Sequence, residues 1–208
     1  MKYCQGLYAV TDDQLLAGRM LSAVEAALLG GCRILQYRSK QADTSHLHQE
    51  ASALLALCQR YDANLIINDN VELAIAIGAH GVHLGQGDMP IAAARSLLGS
   101  DAIIGITCHN SLALALEAQQ AGANYVAFGR FFPSSTKQSA PPADLSVLHA
   151  AQQTLQIPVV AIGGITLDNA PIALTAGANM LAVVGDLFSA TDITNHARAY
   201  CKLFTGNH

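Results

Sequence analysis

Short apolar runs recur along the whole chain: Leu7–Val10, Arg33–Arg38, Asn64–Asn68, Gly81–Gly85, Ala102–Cys108, Tyr125–Gly129, Pro158–Gly164 and Met180–Gly185. Each is short and rich in Val, Ile or Leu, so each reads as a buried strand. Between them lie Ala- and Leu-rich stretches with polar residues at helical spacing. Over Ser45–Tyr61, Leu47, Leu54, Leu55 and Leu57 interleave with His48, Gln49 and Glu50. Asp88-Met89-Pro90 reads as a capped helix start with proline in the first turn, and Asp168-Asn169-Ala170-Pro171 as another. Gly30-Gly31, Gly78-Ala79, Gly122-Ala123 and Gly177-Ala178 each close a helical stretch just ahead of a strand. Glycine there fits a left-handed C-terminal cap.

Strict strand–helix alternation implies parallel strands joined by right-handed crossovers. Eight such units can close on themselves, which removes both sheet edges. The prediction is an α/β fold, a single-domain (β/α)8 TIM barrel over residues 1–208, with 205–208 a frayed tail. An open doubly wound sheet is the alternative. It would more often carry one early Gly-rich phosphate loop, and none follows the first strand.

Composition narrows this further. A chain of 208 residues, 51% hydrophobic and 12% charged, suits one domain better than two. A mean hydropathy of +0.31 fits strands buried on both faces. The net charge of −4 comes without long charge runs, which argues against a sequence-independent nucleic-acid binder. Cys4, Cys32, Cys58, Cys108 and Cys201 form no CxxC, so a reduced chain without a zinc site is expected. No signal-like stretch opens the chain and no window approaches a membrane span, so a soluble, cytoplasmic protein is expected.

In such barrels the chemistry sits at the C-terminal strand ends. Those ends carry Thr11-Asp12-Asp13, Gln36 through Lys40, Asn68-Asp69-Asn70, His83 through Asp88, Thr107-Cys108-His109, Arg130 through Lys137, Gly163-Gly164 and Gly185-Asp186. Gln36, Arg38 and Lys40 alternate, so on an extended chain they share one face. Two cations aimed into one mouth repel each other unless an anion joins them. A planar fork plus a point charge suits a diphosphate. The plainer reading is a solvated strand end.

Asp69 and Asp88 end adjacent strands, and two carboxylates with substrate phosphates and waters form a usual Mg2+ environment. Separately, each could simply cap a helix. Ser134, Thr136 and Lys137 lie in a long loop that runs into Ala140-Pro141-Pro142 and reads as a phosphate-binding lid or as an ordinary loop. Gly163-Gly164 and Gly185 leave backbone N–H groups to approach an anion at the phosphate site recurrent after strands seven and eight. His83 is expected to be structural, and His109 stays open. His46, His48, His80, His149 and His196 read as surface residues. No Ser-His-Asp or Cys-His constellation is suggested.

Together, Gln36-x-Arg38-x-Lys40, Ile67-Asn68-Asp69, Gly81-Val82-His83-Leu84-Gly85-Gln86-x-Asp88, Thr136-Lys137 and Ala161-Ile162-Gly163-Gly164-Ile165 stand in an order that resembles the thiamine phosphate synthase family. The resemblance covers nearly the whole chain, from Leu7-Tyr8 to Ala182-Val183-Val184. It implies a Mg2+-dependent transferase of thiamine biosynthesis. That enzyme would join 4-amino-5-hydroxymethyl-2-methylpyrimidine diphosphate to a (carboxy)thiazole phosphate, giving thiamine phosphate and pyrophosphate by dissociative substitution. By position, Asp69 and Asp88 would hold the metal. Arg38, Lys40 and Lys137 would serve catalysis, binding the diphosphate with Asn68 and Thr107, while Gln36 would contact the pyrimidine side. Ser134, Thr136, Gly164, Val184 and Gly185 would hold the thiazole phosphate.

Three positions depart from the family's commonest pattern. Thr107 stands for serine, Ser134 for threonine, and Gly185 for a serine whose hydroxyl is thereby lost, so weaker thiazole binding is expected. The rival readings are a thiazole tautomerase, with His109 as acid–base, and a non-catalytic ligand-binding barrel. The expected partners are small-molecule substrates, with no nucleic acid and no membrane; self-association as a homo-oligomer stays open.

Overall fold

The eight apolar runs become eight parallel strands. In the computed structural model, which describes residues 4–40, 43–133 and 142–205, they are β1 (Gly6–Val10), β2 (Ile34–Tyr37), β3 (Asn64–Asn68), β4 (Gly81–Leu84), β5 (Ile103–His109), β6 (Tyr125–Phe128), β7 (Val159–Ile162) and β8 (Met180–Val183). They hydrogen-bond in chain order, and β8 returns to β1, so the sheet closes into a barrel. Helices α1 (Met20–Leu29), α2 (Thr44–Arg60), α3 (Val71–Ile77), α4 (Ile91–Leu98), α5 (Leu112–Gln120), α6 (Ser146–Thr154) and α7 (Ala170–Thr175) follow the first seven strands in turn. After β8 come the short α8 (Gly185–Phe188) and then α9 (Ile193–Lys202). The tail expected at 205–208 falls, beyond Thr205, outside the described residues.

Successive strand side chains face opposite sides of a sheet, and here both sides are dry. One set fills the barrel interior: Tyr8, Val10, Ile34, Ile66, Ile103, Tyr125, Ala127, Val160, Met180 and Ala182. The alternate set, including Leu7, Ala9, Leu35, Ile67 and Val82, packs beneath the helices. That is why the strands read as continuous apolar runs rather than as polar–apolar alternation.

The glycine caps form as expected. Gly31, Gly78, Gly122 and Gly177 have φ of 104°, 71°, 91° and 113°, which residues with a Cβ rarely adopt. One helix start differs from its sequence reading. Helix α4 begins at Ile91 with Pro90 as its N-cap residue and no side-chain cap. Asp88 instead closes a tight turn, its Oδ2 accepting the Gly85 N–H at 2.7 Å. At α7 proline does fall in the first turn. Asn169 there braces the preceding loop, donating to the Gly164 carbonyl and accepting from the Thr166 N–H, both at 2.9 Å.

Candidate active site

A buried chain of hydrogen bonds crosses the barrel interior. Gln36 Nε2 donates to Tyr8 Oη at 2.9 Å. Tyr8 Oη meets Tyr125 Oη at 2.6 Å, and Tyr125 Oη meets His83 Nδ1 at 2.9 Å. His83 Nε2 meets Thr107 Oγ1 at 2.8 Å. Burial drives both phenol pKa values upward, so the two tyrosines stay neutral and serve as hydrogen-bond relays. Gly105 makes the room for this: a Cβ there would lie 1.9 Å from the Tyr125 ring. His83 is thus a satisfied interior histidine, as expected, and it also links Tyr125 to Thr107. The sequence alone does not single out Tyr8 and Tyr125, because an aromatic residue in a strand reads as core. Their signal is parity, since both share the inward register with Gln36 and His83.

On the rim, alternation holds Gln36, Arg38 and Lys40 on one face only as far as the strand lasts. β2 ends at Tyr37. Gln36 is 5% exposed and belongs to the interior network, whereas Arg38 is half-buried and Lys40 exposed. The three are therefore divided between floor and rim. Arg38 N–H donates to Thr11 Oγ1 at 2.8 Å, and the Thr11 hydroxyl donates to the Arg38 carbonyl at 3.1 Å. Asp13 Oδ2 accepts from Ser39 Oγ at 3.0 Å and from Lys40 N–H at 2.5 Å.

The carboxylates stand on neighbouring strand ends. Asn68 pairs with His83 in register, and Asp69 N–H donates to the His83 carbonyl at 2.8 Å. Asp69 has φ of 61°, a left-handed conformation uncommon outside glycine, which interrupts the strand's alternation at this residue. Asn68 Nδ2 donates to Asp69 Oδ2 at 2.6 Å. Helix α3 is capped by Asn70, which accepts from the Leu73 N–H at 2.8 Å, so neither Asp69 nor Asp88 caps a helix. Among the described residues no group of three or more His, Cys, Asp or Glu could cage a metal. Two exposed carboxylates instead suit a hard cation that keeps its waters and shares a substrate's phosphate oxygens, as Mg2+ does.

The rim after β6 and β7 is built by close backbone approach. A Cβ on Gly164 would lie 2.2 Å from the Pro133 carbonyl oxygen, and one on Gly163 2.2 Å from Arg130 Cβ. Phe132 N–H donates to the Gly163 carbonyl at 3.0 Å. The glycine pair is thus required by the 130–133 segment, whatever anion it also meets. Ser134, Thr136 and Lys137 lie outside the described residues. Val184 and Gly185 open α8, and a Cβ on Gly185 would meet nothing within 4 Å.

Two histidines differ from a plain surface reading. His196 is half-buried, meeting Asp186 Oδ2 through Nε2 at 2.7 Å and standing edge-on to Tyr200. Tyr200 Oη donates to the same carboxylate oxygen at 2.6 Å. His80 Nδ1 accepts the Leu65 N–H at 3.0 Å. His109 is exposed, with φ of 53°, where the β5–β6 register shifts. Cys108 is buried, which pushes its thiol up to about 12, so it forms no activated pair with His109.

Two surface depressions, of about 650 Å³ beside Asp186 and His196 and about 530 Å³ beside Asp13, Arg19 and Glu50, contain neither Arg38 nor the Asp69–Asp88 pair. The rim is the candidate site on chemical grounds: it gathers cations, carboxylates and an oriented hydroxyl. No helix among the described residues is long and apolar enough to cross a membrane.

The profile of the family described as thiamine monophosphate synthase matches residues 7–187. A thiamine-phosphate synthase of Thioalkalivibrio sulfidiphilus is 54% identical over 201 residues, covering 96% of this chain and 95% of that protein. The thiamine phosphate pyrophosphorylase of Pyrococcus furiosus superposes with a TM-score of 0.89 at 35% identity, over 98% of this chain and 97% of its own. The thiamine phosphate pyrophosphorylase of Bacteroides thetaiotaomicron, at 19% identity and a TM-score of 0.72 over 98% of this chain and 99% of its own, supports the fold alone.

Proposed function

The chain belongs to the thiamine monophosphate synthase family, and from that premise we propose that its barrel rim joins a pyrimidine methyl diphosphate to a thiazole phosphate with release of pyrophosphate. It is a transferase of thiamine biosynthesis. The observation that carries the finer reading is the pairing of two cations, Arg38 and Lys40, with two carboxylates, Asp69 and Asp88, on one rim. That set suits a metal-complexed diphosphate.

Arg38 and Lys40, with Lys137, would hold the diphosphate oxygens by charge-assisted bonds. Asp69 and Asp88 would hold Mg2+, which when bound would supply positive charge against the charge developing on the leaving group. As the C–O bond breaks, its electron pair leaves with pyrophosphate. The pyrimidine methyl cation is then trapped by the thiazole nitrogen. No protein nucleophile is needed, so the rim acts by stabilising leaving charge.

Gln36 commits its Nε2 to Tyr8, so its amide oxygen is the group that would accept from the pyrimidine amino group. Thr107, tied to His83, would offer its hydroxyl to the diphosphate beside the Asn68 amide. Ser134, Thr136, Gly164, Val184 and Gly185 would hold the acceptor's phosphate. The five cysteines are unbridged, which fits a reducing, cytoplasmic setting.

The test is pyrophosphate release from both substrates together, with and without Mg2+. Release should need both substrates and the metal; no turnover with Mg2+ present would overturn the proposal. Arg38→Ala and Lys137→Ala should each lower kcat/KM by about 1.5–3 kcal/mol, a loss of roughly 10- to 150-fold.

A further inference from the structure

We infer that Thr11 and Asp13 are positioning residues that aim Arg38 and Lys40 at the diphosphate. The inference rests on the functional reading above. The β1–β2 ladder pairs Val10 with Gln36, and Thr11 N–H still reaches the Gln36 carbonyl at 3.0 Å. Past that point the side chains of β1's extension take over from its backbone.

Thr11 is 1% exposed, and a buried hydroxyl must find partners. It finds both in one residue, accepting the Arg38 N–H at 2.8 Å and donating to the Arg38 carbonyl at 3.1 Å. Two bonds to one residue restrict its φ and ψ together. Two residues on, the Asp13 carboxylate takes the Lys40 N–H at 2.5 Å and the Ser39 hydroxyl at 3.0 Å. These four bonds engage the backbone of the cationic residues and the Ser39 side chain, not the guanidinium or the ammonium. None of the four bonds occupies a charged head, so the backbone is held without competing with a ligand for the cations.

Tyr37 secures the same segment from the helix side, its Oη donating to Glu50 Oε2 of α2 at 2.8 Å. Electrostatics point the same way. Arg38 and Lys40 carry like charges two residues apart, and an anchored carboxylate next to their backbone offsets that repulsion before any diphosphate arrives. Donors fixed in advance need little reorganisation when charge develops, which is where such sites gain rate.

The experiment reads binding and turnover separately. Calorimetry with inorganic pyrophosphate and Mg2+ measures the anion site alone, and steady-state kinetics resolves KM for each substrate. Thr11→Val and Asp13→Ala should each weaken pyrophosphate binding and raise the pyrimidine diphosphate KM about tenfold, with the thiazole phosphate KM unchanged. Thr11→Ser, which keeps the hydroxyl, should return both to within about twofold of wild type. In an Arg38→Ala background, Thr11→Val should add less than about twofold to the pyrophosphate Kd, because it acts through Arg38.

A lowered Tm with pyrophosphate affinity unchanged would overturn the inference. So would an undiminished effect of Thr11→Val in the Arg38→Ala background. If Thr11→Val does not fold, Asp13→Asn carries the test: it keeps the shape but loses the charge, and unchanged affinity would overturn the role of that carboxylate. Wild-type protein that neither binds pyrophosphate nor turns over would overturn the functional reading and this inference with it. Wild-type binding with unaltered variants would overturn the inference alone.

Discussion

His80 shows how one side chain ties pH to stability in this barrel. Its Nδ1 accepts the Leu65 N–H at 3.0 Å, joining the turn before β4 to strand β3. Burial lowers its pKa from the ordinary 6.5. A protonated ring cannot accept at Nδ1, so below that value the unfolded chain takes up more protons than the folded one. The stabilisation is fully present above about pH 6.5 and is lost as pH falls through the lower folded value. Urea midpoints should therefore drop between about pH 8 and about pH 5, and drop less in His80→Gln, which does not titrate. Parallel declines in the two proteins would exclude this role. At this scale the sequence is legible where residue type alone announces chemistry: Arg38, Lys40, Asp69 and Asp88 can be named as candidates from type and spacing. The contacts of Tyr8, Tyr125, Thr11 and Asp13 are not legible there, because their partners lie 25 or more residues away.

Among elements, α8 is the one on which the acceptor half of the proposed site depends. It has four residues, too few for a periodic signal, and in sequence Gly185-Asp186 reads as a strand end. What holds it is tertiary. Asp186 accepts from Tyr200 and meets His196, both on α9, and the Arg19 guanidinium donates to the Phe188 carbonyl at 2.8 Å. The open space at Gly185 makes serine there a clean test. Gly185→Ser should lower the thiazole phosphate KM roughly three- to tenfold by adding one bond to a charged ligand. An unimproved KM would remove Val184 and Gly185 from the acceptor site. The start of α4 differs from its sequence signal for a related reason: Asp88 two residues before Pro90 looks like a cap, yet its carboxylate is occupied by the Gly85 turn.

For the molecule as a whole, closure of the barrel turns eight separate strand ends into one rim. If that rim binds metal-complexed pyrophosphate, ligand binding should stabilise the whole domain. With Mg2+ and pyrophosphate at about 100 times Kd, unfolding should cost about 2.7 kcal/mol more. Pyrophosphate without Mg2+ should give much less. The Asp69→Asn, Asp88→Asn double variant should keep the fold, since both side chains are exposed and neither caps a helix, but lose the metal-dependent gain. Thermal or urea unfolding with each ligand combination checks this. Equal stabilisation with and without Mg2+ would contradict the assignment of those two carboxylates.

Local order along the chain was enough for the strands, the left-handed glycine caps, the parallel closed architecture and the chemical types on the rim. Periodicity, steric freedom and side-chain charge are all properties of neighbours in sequence. Which residue meets which was decided only by closure. The barrel brought Gln36, Tyr8, Tyr125, His83 and Thr107 into one hydrogen-bonded chain and set Thr11 and Asp13 against the backbone of Arg38 and Lys40. It also split Gln36 from Arg38 and Lys40, because strand alternation ends where the ladder ends. Buried polar groups must pair, but their partners here lie on other strands, and only the assembled register selects them.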